Sequence, residues 1–187
     1  MYKKIILLCT VLNMSFLHSQ SNTSYQEISA YPEMATEQTV LARLIESLGF
    51  RYYWATEDLR ETDLNYQISE ASRTTLETVK HIYDLSEIIK NAALNLPNRA
   101  TTDDLSYTEL RTKTLENLKL AESAILKLES LDEVVLNFGQ SKISFWNLIN
   151  GPITDAVWHC GQISSFRRAS GNPINSKINF FSGKIRD

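Results

Sequence analysis

Asp155 and His159 are the residues of this sequence whose types and spacing most directly suggest chemistry. Both lie in the stretch GPITDAVWHCGQISSFRRASGNP, residues 151–173. Residues four apart on a helix stack one above the other, about 6 Å apart along the axis. A carboxylate oxygen and an imidazole nitrogen at that spacing can converge on one metal ion, as two ligands do in the HExxH arrangement. The same pair also fits a buried helix in which the carboxylate only holds the imidazole by a hydrogen bond.

A third ligand would have to come from another helix, and His81 is the candidate. It lies at the edge of the apolar arc of an earlier helical pattern, in line with Leu85 and Ala92. Two imidazoles and one carboxylate would leave open positions for water or substrate, as catalytic metal sites do. From spacing alone, a packed and hydrogen-bonded histidine fits the pattern as well as a ligand does.

Three neighbours of His159 are further candidates for a role in the site. Cys160 points about 100° round the helix from His159, which favours a small buried residue over a ligand or a nucleophile. We expect Gly161 to allow another helix to approach closely. Gln162 could support the ligands without touching the metal, although packing at a helix crossing is the alternative.

Two arginines and three tryptophans complete the set of side chains with a candidate role. Arg167 and Arg168 suit the negative end of a helix, and binding of an anionic substrate is their alternative role. We expect Trp54, Trp146 and Trp158 to lie in the core.

Four long amphipathic patterns provide the helices that would position these residues. Apolar side chains recur at spacings of three and four along each of them, as they do on the buried face of a helix. The predicted helices cover residues 36–59, 70–94, 101–128 and 145–168.

Capping and breaking signals mark the ends of these helices. Residues 101–104 (TTDD) predict the start of the third helix. Asn-Gly-Pro at 150–152 predicts either a kink or a new helix that begins with the proline. Gly171 and Pro173 end the fourth helix. Residues 131–144, between the third and fourth helices, fit a short extended excursion.

Four such helices with short connections predict an all-α fold, an antiparallel four-helix bundle. We expect the bundle to span residues 36–173, after a flexible lead-in at 20–35. The C-terminal tail, 174–187, is expected to lay Phe180 or Phe181 back on the bundle.

Residues 1–19 have the layout of a secretory signal peptide. Lys3 and Lys4 precede an apolar run at 5–17. This run is shorter than the roughly 20 residues that a membrane span needs, and no later stretch approaches that length. We therefore expect cleavage near Gln20 and an exported protein, periplasmic or secreted, without a membrane span. An uncleaved anchor is the alternative.

Composition excludes some classes of function for the mature chain. Cys160 would be its single cysteine, so an internal disulfide is impossible. The 19 basic residues fall to 17 because Lys3 and Lys4 are removed with the signal, against 22 acidic residues. A mildly acidic chain without a basic stripe is a poor binder of nucleic acid.

Two stretches resemble the DinB-like superfamily: HCGQ at 159–162 on the last helix and VKHIYDL at 79–85 on the second. The family pattern is a histidine on the second helix and an HxxxHxGQ run on the last one, around a divalent metal in a four-helix bundle. The resemblance covers residues 36–173. The matching positions are His81, His159, Gly161 and Gln162.

The resemblance implies one divalent metal between the second and fourth helices, held by His81, Asp155 and His159 and supported by Gln162. Asp155 stands where the family has the first histidine of HxxxH, and zinc, nickel, iron and manganese all fit such a set. The family includes metal-dependent hydrolase-like proteins and thiol transferases such as the bacillithiol S-transferases, which implies a small-molecule substrate. The alternative is a bundle without metal that binds a small molecule or a partner. A monomer and a homodimer both remain open.

Overall fold

The computed structural model describes residues 25–100 and 104–186. The predicted signal peptide lies outside these residues, as do residues 101–103 of the predicted third helix. Most of the described chain is helical, and its sheets have only two strands each. The prediction of a predominantly helical fold is therefore confirmed. None of the helices in the described ranges is long and apolar enough to cross a membrane.

Four long helices form the body of the described chain. They are α1 (Glu37–Thr56), α3 (Thr75–Ala93), α4 (Tyr107–Ile125) and α6 (Thr154–Ala169). Shorter elements connect or follow them: α2 (Glu61–Leu64), a 3₁₀ turn (Leu131–Glu133), β1 (Val135–Phe138), β2 (Ser141–Ser144), α5 (Phe145–Leu148), a π-helical turn (Ile149–Ile153), β3 (Ile178–Asn179) and β4 (Lys184–Ile185).

The start of α4 differs from the one predicted at residues 101–104. The side chain of Ser106 accepts a hydrogen bond from the amide of Glu109, and the Glu109 carboxylate accepts one from the amide of Ser106 at 2.9 Å. This reciprocal cap satisfies two free amides at once, and α4 begins after it, at Tyr107. Asp104 and Leu105 are not helical, so α4 begins later than predicted, while residues 101–103 of the predicted start lie outside the described residues. Both stretches contain residue types that can cap a helix, which is why the sequence alone favoured the earlier one.

The four long helices share one apolar core. α1 and α3 each pack against both α4 and α6. Arg167, near the end of α6, donates to the carbonyls of Trp54 and Ala55 at 2.8 and 3.2 Å, so α1 and α6 finish at the same end of the molecule. The Tyr107 hydroxyl donates to the carbonyl of Thr56, so α4 begins where α1 ends. This packing is compatible with a helical bundle.

Two of the three tryptophans that were expected in the core are exposed, a correction to the sequence-based prediction. Trp146 and Trp158 are 63% and 71% exposed. Each lies two residues from a buried side chain, Leu148 and Ala156 respectively. Two residues correspond to about 200° round a helix, so both rings point away from the core.

Residues 25–30, within the predicted lead-in, make contacts that the sequence did not reveal. Tyr25 is only 2% exposed, and its hydroxyl donates to Glu122 at 3.1 Å. The amide of Ser29 donates to Glu46 at 2.7 Å. Within the described chain, the packed domain therefore includes Tyr25.

Two small hairpins complete the described chain. Residues 131–144 form the expected extended excursion, in which β1 pairs antiparallel with β2. β3 pairs with β4 in the C-terminal tail, and the Phe180 ring meets Phe50 edge-on at 5.6 Å. Phe181 is exposed, so Phe180 is the ring that packs back.

Candidate metal centre

The candidate site lies where α3 and α6 pack together. His81 belongs to the second turn of α3, while Asp155 and His159 belong to the first turns of α6. The π-helical turn directly before α6 contains Pro152, and the chain continues into α6 without a break. The Asn-Gly-Pro signal thus marks a π-helical turn within a continuous helical segment rather than the start of a new helix. Such turns change which face the following helix presents, and they are frequent at functional sites.

Asp155 lies between the two histidines. Its Oδ2 atom is 3.2 Å from His81 Nε2, and its Oδ1 atom is 3.4 Å from His159 Nε2. The two imidazole rings meet edge-on with 4.7 Å between their centroids. The three residues offer ligand atoms that all lie within 4.8 Å of one another. This group could hold a metal ion.

The spacing of these atoms agrees with the dimensions of a metal site. Ligand atoms at about 2.1 Å from a tetrahedral ion lie roughly 3.4 Å from one another. The two carboxylate-to-imidazole distances are already close to that value. Side chains on two different helices are therefore close enough together to share an ion.

Gln162 makes the hydrogen bond that a supporting role requires. Nδ1 of His159 donates to Oε1 of Gln162 at 2.6 Å. A neutral imidazole with its proton on Nδ1 carries its lone pair on Nε2, which is the atom that faces Asp155. The Nε2 atom of His159 and the Oδ1 atom of Asp155, both hydrogen-bond acceptors, then face each other at 3.4 Å. A positive species between them, either a proton on Nε2 or a metal ion, makes that contact favourable.

Cys160 and Gly161 take no part in the group of ligands. Cys160 is buried as expected, and burial raises the pKa of its thiol to about 12. It is therefore protonated at neutral pH and does not supply a thiolate. The expected close helix approach at Gly161 was wrong, because a Cβ atom placed there would meet no atom of the described chain within 4 Å. Gly161 faces open space.

Arg167 is a structural residue. It is only 4% exposed, and besides the two α1 carbonyls it donates to the carbonyl of Asn172 at 2.6 Å. These bonds tie the end of α6 to the end of α1, which leaves Arg167 unavailable for an anionic substrate. Gly171 has a φ of +81°, which fits the expected left-handed cap after α6.

A cavity of about 660 Å³ adjoins the site, and His159 and Gln162 form part of its wall. Its other lining residues are Ile68, Ser72, Arg73, Thr78, Trp158, Gly161, Ser165 and Phe166. Its volume is within the usual range for small-molecule sites. Sequence reasoning missed Ile68 and Arg73, since the loop before α3 carries no motif and only the packing of α3 on α6 brings it to the site.

Comparison of the chain with models of known families and with curated proteins finds no match. Membership of the DinB-like superfamily therefore stays a prediction, which rests on the positions of His81, His159, Gly161 and Gln162. The geometry of the three candidate ligands is independent of that resemblance.

Proposed function

We propose that this protein is an exported DinB-like four-helix bundle that binds one divalent metal ion through His81, Asp155 and His159 and acts on a small molecule. The observation that carries the proposal is the convergence of three ligand atoms from two helices to within 4.8 Å of one another. Two features support it: Gln162 orients His159, and a cavity opens beside the group.

The packing of the long helices supports the bundle. Each of the four contacts two others, and α4 begins where α1 ends, so these two neighbours run in opposite directions. Bundles of this kind build metal sites from side chains on facing helices. His81 on α3 and the pair on α6 have that relation.

The exposure of the ligands suits a metal that reacts with a substrate. The side chains of His159, His81 and Asp155 are 12%, 28% and 42% exposed, so the group lies at the edge of the core and is open to solvent. Three protein ligands leave at least one position for water or substrate. Such an ion supplies Lewis-acid chemistry to a hydrolase or holds the thiolate that a transferase uses.

Hydrolysis is the reaction that we favour. Among the described residues the cavity wall contains no cysteine, so the protein itself supplies no thiol there. Export, which the first 19 residues predict, would also separate the protein from the intracellular thiols that transferases of this family use.

Mass spectrometry of protein from its native host tests export. It should find an N-terminus at or near Gln20, and an intact Met1 in a cytoplasmic fraction would contradict export.

The second candidate is a bundle without metal that binds a small molecule or a partner. Asp155 lies within 3.4 Å of a nitrogen of each histidine, so the trio can satisfy itself through hydrogen bonds when a ring carries the extra proton. In this case the same residues would serve stability alone.

Elemental analysis of the purified mature protein, before and after treatment with a chelator, separates the two candidates. We expect one equivalent of zinc, nickel, iron or manganese per chain, and the chelator should remove it. His81→Ala should abolish uptake, while Lys80→Ala, at the exposed neighbouring position of α3, should take up metal normally. Wild-type protein that takes up none of these ions at micromolar concentration would refute the metal site.

A further inference from the structure

Large apolar side chains border the cavity beside the candidate ligands. Ile68 and Trp158 are 72% and 71% exposed, and Phe166 lines the same cavity. Exposed apolar side chains that gather in one concave place mark binding surfaces more often than scattered ones do. Trp158 also offers a flat ring on which a planar group can stack. The apolar part of an occupant would contact these side chains.

Arg73 gives the cavity a positive charge. It is exposed, and among the described residues that line the cavity it is the only arginine or lysine and there is no aspartate or glutamate. Arg73 helps to lower the pKa of Glu77, but the Glu77 carboxylate is held in the cap of α3, where it accepts from the Thr74 amide at 2.7 Å and from its hydroxyl. The guanidinium fork therefore remains available for a carboxylate, which it matches with two parallel hydrogen bonds.

We propose that this cavity binds a small organic carboxylate with an aromatic or aliphatic body, and that Arg73 and Trp158 determine this specificity. Arg73 pairs with the carboxylate, while Trp158 and Ile68 cover the body. A carboxylate of this kind would be the substrate of the proposed metal enzyme. Its binding does not require the metal, and only its reaction rests on the proposed function. An occupant that touches His159 in the cavity wall borders the metal site, so binding and reaction would take place side by side.

Calorimetric titration with 1-naphthylacetate and its uncharged analogue 1-naphthylacetamide tests this inference. Wild-type protein should bind the acid about tenfold more tightly than the amide, because a charge-assisted pair is stronger than a neutral hydrogen bond. Arg73→Gln should remove this preference. Trp158→Ala should weaken the binding of both probes to a similar extent.

Arg99→Gln is the matched control, since Arg99 is an exposed arginine that lines a different cavity of about 320 Å³. It should retain the preference for the acid. Wild-type protein that binds neither probe, or both equally, would overturn the inference. Retention of the preference in Arg73→Gln would also overturn it, because the carboxylate would then bind elsewhere.

Titrations of chelator-treated and metal-loaded protein separate this inference from the proposed function. A preference for the acid that persists without metal supports the carboxylate site even if metal uptake fails. Normal metal uptake without that preference would refute the carboxylate site and leave the metal centre standing.

Discussion

Replacement of Asp155 by alanine is the perturbation that most directly tests the metal centre. Asp155 is the only anionic member of the group, and its two oxygens face one nitrogen of each histidine at 3.2 and 3.4 Å. Its removal would leave two imidazoles on separate helices and one protein ligand fewer. Loss of a residue that only supports a ligand typically lowers metal affinity 10–100-fold. Loss of a ligand should cost more, so we expect a decrease of at least about 100-fold.

Two companion variants distinguish charge from shape at this position. Asp155→Asn keeps the size of the side chain but loses its charge, and it should also lose most of the affinity. Asp155→His restores the HxxxH pattern of the resemblance, so it should retain an ion and shift the preference toward softer divalent metals. A parallel loss in all three variants would indicate that the carboxylate geometry itself is required.

Competition with a chromophoric chelator gives the affinities for zinc and manganese, and thermal unfolding with and without a chelator gives the stability. A loss of only 10–100-fold in Asp155→Ala would show that Asp155 supports the site and is not a ligand. If the wild type binds no ion, the variant should lose only stability, by about 1–3 kcal/mol, because an imidazole loses its partner. That outcome would refute the reasoning about the site.

Three further predictions concern Gln162, Asp63 and Gly49. Gln162→Ala should lower metal affinity about 10–100-fold in the same competition assay, whereas Gln162→Glu, which keeps an acceptor for His159, should not. Asp63→Asn should lower the free energy of unfolding by about 2–4 kcal/mol at pH 7, since the fully buried carboxylate accepts bonds from Arg60 and from residues of the chain after α6. The hydrogen bond from Arg60 is the main cause that holds the pKa of Asp63 well below its usual range. The ionised Asp63 therefore contributes its full stabilisation above the ordinary pKa of a carboxylate, and this stabilisation disappears as the pH falls through the lower pKa of the folded state. In urea unfolding, the difference in free energy between wild type and variant should therefore shrink in acid. Gly49→Ala should destabilise by about 1–3 kcal/mol, because its Cβ would collide with the buried tyrosine ring of the N-terminal segment, while Gly161→Ala, which meets nothing within 4 Å, should be neutral or stabilising.

Features that depend on neighbouring residues were predictable from the sequence. The bounds of α1 lie within three residues of the predicted 36–59, and α3 lies within the predicted 70–94. The left-handed Gly171 after α6 and the extended excursion at 131–144 were also anticipated. Apolar periodicity, caps and turns act over a few residues of backbone, so a single sequence contains the information that sets them.

The candidate site divides between local and tertiary information. The relation of Asp155 to His159 follows from the helix itself, because residues four apart lie on one face. His81 is 74 positions from Asp155 in sequence. Only the packing of α3 against α6 brings its Nε2 atom to the carboxylate. The sequence selected His81 by its place at the edge of an apolar arc and by the resemblance to a known pattern, and neither signal gives that distance.

Tertiary structure alone decided which helix faces meet solvent, the core or one another. Trp158 is exposed, Arg167 is buried and Gly161 lies open, although apolar character, charge and small size suggested other surroundings. Arg73 lines the cavity beside the candidate site, although it comes from a loop without any motif. Periodicity determines which residues share a face, whereas the partner of that face depends on how all the helices pack around one core at the same time. The sequence by itself therefore determined most of the helix bounds and the pairing of two of the three candidate ligands, and the packing determined the position of the third ligand and the cavity beside it.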